Sequence, residues 1–388
     1  MKKTIVFALI IITGLVLISC GKGNKQPAYN PSLDSLRFTG EIHLRNIKQL
    51  TFGGNNAEAY WSFDNKQLIF QSDWKKINPQ GCDQIFIMNA DGSLLPGGKR
   101  YRLVSTGKGR TTCSYFLKDG KKIIYASTHA ASPDCPEAPM FVNGKYVWKI
   151  FPTYDIYIAN PDGSEPKVLI GGDGYDAEAT VSPDGKYIIF TSTRSGDLEL
   201  WRYEIATGEY LQLTSELGYD GGGFFSNDSK KIVWRASRPK GEAAAQYKEL
   251  LAQDLIEPKA LNIYIADIDG KNVQQVTDLP GANWAPFFAP GDKKIIFSSN
   301  HHSLKEGGRL FDLFMVNLDG TGLEQITHSG TFDAFPMFSF DGKKLAFASN
   351  RRVDRKDSRE TNIFVADWIE NPEEVDLNFK TLNTRNKK

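Results

Sequence analysis

Several features that usually carry chemistry are scarce or missing in this chain. Five histidines and four cysteines are spread over 388 residues. No two of Cys82, Cys113 and Cys135 have zinc-finger spacing, so a structural zinc site is not expected. No Gly-x-Ser-x-Gly elbow occurs, which removes the hydrolase signature, and no glycine loop stands in a strand-to-helix setting to cradle phosphate. An excess of charge of one sign is missing too. Lys and Arg total 47 against 46 Asp and Glu, a net +1, so nothing draws the chain as a whole to nucleic acid. After the first twenty residues no apolar run is long enough to span a bilayer.

Those first twenty residues are different. Lys2 and Lys3 precede an apolar stretch from Ile5 to Leu17, followed by Ile18-Ser19-Cys20. A basic start, a short apolar core and small residues at a cut site make an export signal. The ending Leu17-Ile18-Ser19-Cys20 resembles a bacterial lipobox, which implies a signal over 1–19 and lipidation at Cys20. Residues 20–40 then read as a polar tether, 41–370 as the folded body and 371–388 as a tail.

What the body has in abundance is repetition. The segments AYWSFD from Ala59, ATVSPD from Ala179 and PMFSFD from Pro336 each run into a lysine-bearing turn and an apolar strand. The same unit recurs from Ser114, Gly223 and Pro286. Short β-branched and aromatic runs joined by Asp-Gly or Asn-Asp turns are hairpins. A third strand follows each unit, as in QIFIMN (84–89), NIYIAD (262–267) and NIFVAD (362–367). A fourth ends near Leu-Thr or Ile-Thr, and the spacing from Asp184 to Asp228 suits a four-stranded propeller blade. First-type strands number six. The stretch Ile47–Thr51 is a fourth-type strand that precedes any complete unit, while the last unit stops at its third. The ring is therefore expected to close by pairing Ile47–Thr51 beside Asn362–Asp367, leaving no open edge. The fold class is all-β, a six-bladed β-propeller with an N-terminal strand closing the last blade.

The pattern Ser182-Pro-Asp-Gly-Lys-Tyr-Ile-Ile-Phe-Thr-Ser-Thr-Arg194 resembles the repeat of TolB-like propellers, over roughly residues 44 to 370. TolB itself carries an N-terminal α/β domain, where this sequence has only a short tether before the first blade. The resemblance implies an exported propeller working at the cell envelope.

Aligning the six first strands places Asn56, Thr111, Asp176, Asp220, Asn283 and Asp333 in one column, with Glu58 and Glu178 two positions on. Past the second strands another column reads Trp74, His129, Arg194, Arg238, His301 and Arg351. Equivalent residues of a ring fall at equivalent heights, so these groups are expected on one face near the channel mouth. The Asp and Arg columns are read first as ion pairs pinning neighbouring blades, and otherwise as a site for a basic partner or a bound cation. Three second-to-third-strand connections are long or structured: 129–154, which holds Trp148; 238–261, with a helical stretch Glu242–Leu251; and 301–311. Such insertions on one rim mark a binding face. A propeller lyase acting on acidic sugars needs a His-rich metal cluster. His301 and His302 are adjacent and His328 lies past a fourth strand, so no metal site is expected. Cys82 and Cys135 lie in second-to-third-strand loops of neighbouring blades and are the preferred disulfide, leaving Cys113 as a buried thiol.

The reading favoured by the sequence is a monomeric, membrane-tethered scaffold, lipid-anchored at the outer membrane facing the periplasm. It binds an envelope protein or a peptidoglycan or other glycan partner through Glu58, Asp176, Glu178, Asp220, Asp333, Arg194, Arg238, His301, Arg351 and Trp148. No catalytic residue and no cofactor is assigned. The alternative is an enzyme acting on glycans or peptides with the same carboxylate, Arg and His groups.

Overall fold

The second strand of each repeat is a largely apolar run, and in the computed structural model it is buried along nearly its whole length between neighbouring sheets. The structure describes residues 34–351 and 360–372. The leader with Cys20, the first part of the tether and most of the tail lie outside them.

Six four-stranded antiparallel sheets form the ring. After the N-terminal strand β1 (Leu44–Gln49), blade 1 is β2 (Asn56–Trp61), β3 (Gln67–Ser72), β4 (Gln84–Asn89) and β5 (Arg102–Leu103). Blade 2 is β6 (Thr111–Phe116), β7 (Ile123–Ser127), β11 (Asp155–Ala159) and β12 (Lys167–Ile170). Its insertion carries β8 (Phe141–Val142), β9 (Lys145–Tyr146) and β10 (Trp148–Lys149). Blade 3 is β13 (Asp176–Val181), β14 (Tyr187–Ser192), β15 (Glu199–Glu204) and β16 (Tyr210–Gln212). Blade 4 is β17 (Asp220–Phe225), β18 (Lys231–Ala236), β20 (Asn262–Asp267) and β21 (Gln274–Gln275), with α1 (Glu242–Leu251) and β19 (Leu255–Ile256) inserted. Blade 5 is β22 (Asn283–Phe288), β23 (Lys294–Ser299), β24 (Asp312–Asn317) and β25 (Glu324–Gln325), with a 3-10 helix at His301–Glu306. Blade 6 is β26 (Asp333–Phe338), β27 (Lys344–Ser349) and β28 (Asn362–Trp368), and β1 is its fourth strand.

The closure expected from the sequence is therefore present, slightly displaced toward the N-terminus. Lys48 faces Val365 and Gln49 faces Phe364, with an irregularity between Arg45 and Lys48. The tether is shorter than expected. The Asp34 carboxylate accepts the backbone N–H groups of Asn46 and Ile47 at 2.9 and 3.0 Å, and Glu41 is fully buried. A carboxylate that caps the bulge in β1 ties residues 34–41 to blade 6.

The repeat's Ser-x-Asp has a mechanical purpose. In Ser62/Asp64, Ser182/Asp184, Ser226/Asp228 and Ser339/Asp341 the hydroxyl donates to the carboxylate at 2.6–2.7 Å. Each carboxylate then accepts a backbone N–H of the turn, from Lys66, Lys186, Lys230 or Lys343. The hydroxyl oxygen in turn accepts the N–H that begins the second strand. The hairpin between strands one and two is fixed by its own side chains.

Blades are tied together by one repeated bond. The first residue of each inner strand donates its N–H to a carbonyl beside the third strand of the blade before. Thus Thr111 donates to Asp83, Asp176 to Tyr154, Asp220 to Leu198, Asn283 to Leu261, Asp333 to Phe311 and Asn56 to Thr361, at 2.8–3.1 Å. The last of these crosses the seam of the ring.

Candidate functional site

The third residue of every inner strand departs from strand geometry. Glu58, Cys113, Glu178, Gly222, Ala285 and Phe335 all have left-handed φ, between 43 and 60°. Pairing with the second strand shifts register at each of these positions. Each is a bulge, and a bulge re-aims a side chain out of the pleat. All six line one cavity at the mouth of the ring, with a volume of about 1040 Å³.

Its floor is aromatic. Tyr60 of blade 1 meets Tyr115 of blade 2 at 5.5 Å between ring centres and Phe224 of blade 4 at 5.6 Å; Phe224 meets Phe287 of blade 5 at 5.3 Å. Contacts across the axis make the mouth a cup. Its cover is built from two insertions. The β10 strand of blade 2 pairs with β19 of blade 4, Trp148 opposite Ile256 and Lys149 opposite Leu255. The Lys149 ammonium reaches Asp254 at 3.1 Å. Trp148 stands edge-on to Tyr219 and to Trp284. Beyond it, Met140 and Phe141 are 65% and 63% exposed, beside the hairpin of β8 and β9.

One side of the cup is polar. Glu178 accepts from the Thr191 hydroxyl at 2.8 Å, the Gly222 N–H at 2.7 Å, Arg235 at 2.8 Å and the Tyr219 hydroxyl. Burial works to raise the Glu178 carboxyl, but Arg235 and these donors outweigh it and hold it below the usual range. The guanidinium of Arg235 lies over Gly222, where a Cβ would fall 1.9 Å from Nη1. Space therefore asks for glycine there, where the same left-handed φ is held by other residues in the five equivalent strands. Asp83 pairs with Arg110 at 2.9 Å, yet burial pushes its carboxyl up to about 6.

Glu58 is different. Among the described residues it has no cationic partner in ion-pair range, and its Oε2 lies buried with no hydrogen bond. Burial pushes it up to about 7; a hydrogen bond with the Cys113 thiol opposes the rise and the Glu178 charge adds to it.

Only part of the expected site is therefore assembled here. Glu58, Glu178 and Trp148 line the cup. Asp176, Asp220, Asp333, Arg194, Arg238, Arg351 and His301 do not. Arg194 pairs with Asp176 at 2.8 Å, Arg238 with Asp220 at 2.7 Å and Arg351 with Asp333 at 3.1 Å. The expectation that such pairs join neighbouring blades is corrected: each joins the first strand of a blade to the exit of its own second strand. The register explains this, since Asp176 faces Ser192, Asp220 faces Ala236 and Asp333 faces Ser349. An arginine two residues past that partner reaches back to the carboxylate. His301 sits on Ser299 and against Phe314 instead. Cys82 and Cys135 are joined by a disulfide, with Cα atoms 5.7 Å apart, and Cys113 is a buried free thiol. Sequence reasoning missed Cys113, Arg235 and Trp284 as wall residues. The column containing Glu58 and Glu178 already held Cys113, Gly222, Ala285 and Phe335, and following it around the ring would have found the wall.

The TolB beta propeller domain family matches residues 249–356. An uncharacterized protein of Agrobacterium fabrum is 25% identical over 285 residues, covering 65% of this chain and 90% of that protein. The Tol-Pal system protein TolB of Francisella tularensis subsp. holarctica is 26% identical over 189 residues, 41% of this chain and 43% of its own length. The protein of that name from Bordetella parapertussis is 26% identical over 258 residues, 63% of this chain and 52% of its length. The chain thus spans about half the length of these TolB relatives. Among solved structures, one described as a TolB from Agrobacterium tumefaciens superposes with a TM-score of 0.51 at 16% identity, over 83% of this chain and 97% of that one, which shows the fold.

Proposed function

Because the chain is a TolB-like β-propeller protein, we propose that it is a non-enzymatic scaffold of the cell envelope, held at the outer membrane through Cys20 and binding a protein partner on its strap-bearing face. The observation that carries this reading is the strap. Insertions from blades 2 and 4 pair with each other over the mouth and leave Met140, Phe141 and Tyr146 exposed as an apolar edge on a rigid ring. Relatives named Tol-Pal system protein TolB support a partner that is itself an envelope protein. Two of the cup's three acids are engaged in structural pairs, Glu178 with Arg235 and Asp83 with Arg110, which favours binding over turnover.

The test is capture of envelope proteins by the full chain and by a Met140→Asp/Phe141→Asp variant. The wild type should enrich a defined partner, and the variant should lose it while melting as before. Equal capture by both moves the interface away from the strap. Product formation on a panel of envelope glycans would replace the scaffold with an enzyme.

A further inference from the structure

The cup beneath the strap is more enclosed than a protein-docking surface requires, and its polar groups are unevenly satisfied. Glu178 is saturated by five donors, and Asp83 and Lys149 each have a partner of opposite charge. Arg309 is exposed. One charge-bearing group in the wall is left over, Glu58, held on a left-handed bulge with φ 53°. Such a backbone conformation is uncommon for a residue other than glycine and persists only where the surroundings fix it. The charged and titratable groups that act on the acid are Cys113, Glu178, Arg235 and Asp83, with the Arg235 charge already neutralised by Glu178. Tyr60, Trp148 and Trp284 line the same cavity. A cavity of about 1040 Å³ with twelve aromatic side chains in its lining and one carboxyl outside any ion pair has the composition of a small-molecule site. The complement to a lone part-buried acid among aromatic faces is an organic cation, which satisfies the carboxylate and is attracted to the rings at the same time.

We propose that the cup binds a small primary amine with an apolar body, its ammonium at Glu58 and its body against Trp148 and Trp284. Neutral sugars fit less well, because their many hydroxyl groups need partners and most polar atoms of the wall are already engaged. This site goes beyond the scaffold role and is independent of it, since a partner on the strap's outer edge neither requires nor fills the cup.

Proton linkage supplies a signature. The Glu58 carboxyl is pushed up to about 7 by burial, so at pH 6 it is mostly neutral and must lose its proton to hold a cation. An amine that stays protonated throughout should bind about tenfold more tightly at pH 8 than at pH 6, the change in the ionised fraction of one such acid. Calorimetry on the full chain with 2-phenylethylamine, against 2-phenylethanol as the neutral isostere, reads this directly. Expected results are a saturable amine isotherm, the alcohol at least tenfold weaker and independent of pH, and release of about half a proton per amine at pH 7, seen by comparing buffers of different ionisation enthalpy. Glu58→Gln should weaken the amine about tenfold at pH 8 and abolish the pH dependence. If that variant does not fold, the amine-against-alcohol comparison and the proton release in the native chain still decide. Equal binding of amine and alcohol, no proton release, or saturable binding of N-acetylglucosamine without the amine would each overturn the proposal. Loss of strap-dependent capture with amine binding intact would overturn only the scaffold role.

Discussion

At the scale of single residues, the most consequential group is Arg351. It is fully buried, and its guanidinium reaches Glu41 at 2.9 Å and Asp333 at 3.1 Å, both also fully buried. Two carboxylates around one cation are stable only while the cation is present, because taking charge out of water costs several kcal/mol per ion. Arg351→Met should therefore destabilise the fold by about 3–5 kcal/mol, read as a lower denaturant midpoint with an unchanged slope. A loss under about 1 kcal/mol would mean that the carboxylates escape to water. The buried acids also set a pH dependence. Burial pushes Asp83 and Asp220 up to about 6, Glu58 up to about 7 and Glu199 up to about 8. A carboxyl whose folded value lies above its unfolded value binds more protons when folded. Its contribution is present below the unfolded value and is lost as pH rises through the folded one. Stability should consequently fall between about pH 4 and pH 8, and Glu58→Gln should flatten the part of that slope below pH 7. A chain whose melting temperature climbs steadily over this range would contradict the assignment.

At the scale of elements, the seam of the ring is the exposed point. β28 is hydrogen-bonded to β27 on one side and to β1 on the other, so removing β1 leaves a long edge with unsatisfied backbone groups. Deletion of residues 41–51 also removes Glu41 from Arg351, adding a charge defect to an open edge. The deleted chain should melt well below the parent and self-associate on size-exclusion chromatography; an unchanged melt would show that the ring does not depend on β1. The strap rests on other supports. Cys135 lies within the insertion that supplies Trp148, and its disulfide to Cys82 fastens that insertion to blade 1.

At the scale of the whole molecule, the ring is held by bonds that recur from blade to blade. Six equivalent inter-blade bonds and four Ser-x-Asp turns hold the body, and none of them depends on a membrane. Among the described residues no helix is long and apolar enough to cross a bilayer. The membrane attachment proposed above rests on Cys20. Cys20→Ser should move the protein from the membrane fraction to the soluble fraction without altering the melt of the ring. Retention in the membrane fraction after that change would refute the lipid anchor.

The repeat alone determined the number of blades, the closure by an N-terminal strand and the positions of the insertions. Each follows from local rules: apolar runs of strand length, Asp-Gly turns, and an unmatched fourth strand at one end with an unmatched third at the other. Cys82 and Cys135 could be paired because the repeat placed their loops side by side. The site was only half legible. Asp176 and Arg194 share columns with Asp220, Asp333, Arg238 and Arg351, yet column membership cannot say whether a side chain faces the channel or turns back to its own blade. The register with the second strand decided that, and it made them structural pairs. Glu58 and Glu178 share a column and a sequence context, but burial raises the Glu58 carboxyl while Glu178 is held below the usual range, because only Glu178 pairs with Arg235 from the next blade. Tertiary structure alone brought Trp148 over the mouth, since the pairing of β10 with β19 joins segments about a hundred residues apart that no local pattern relates.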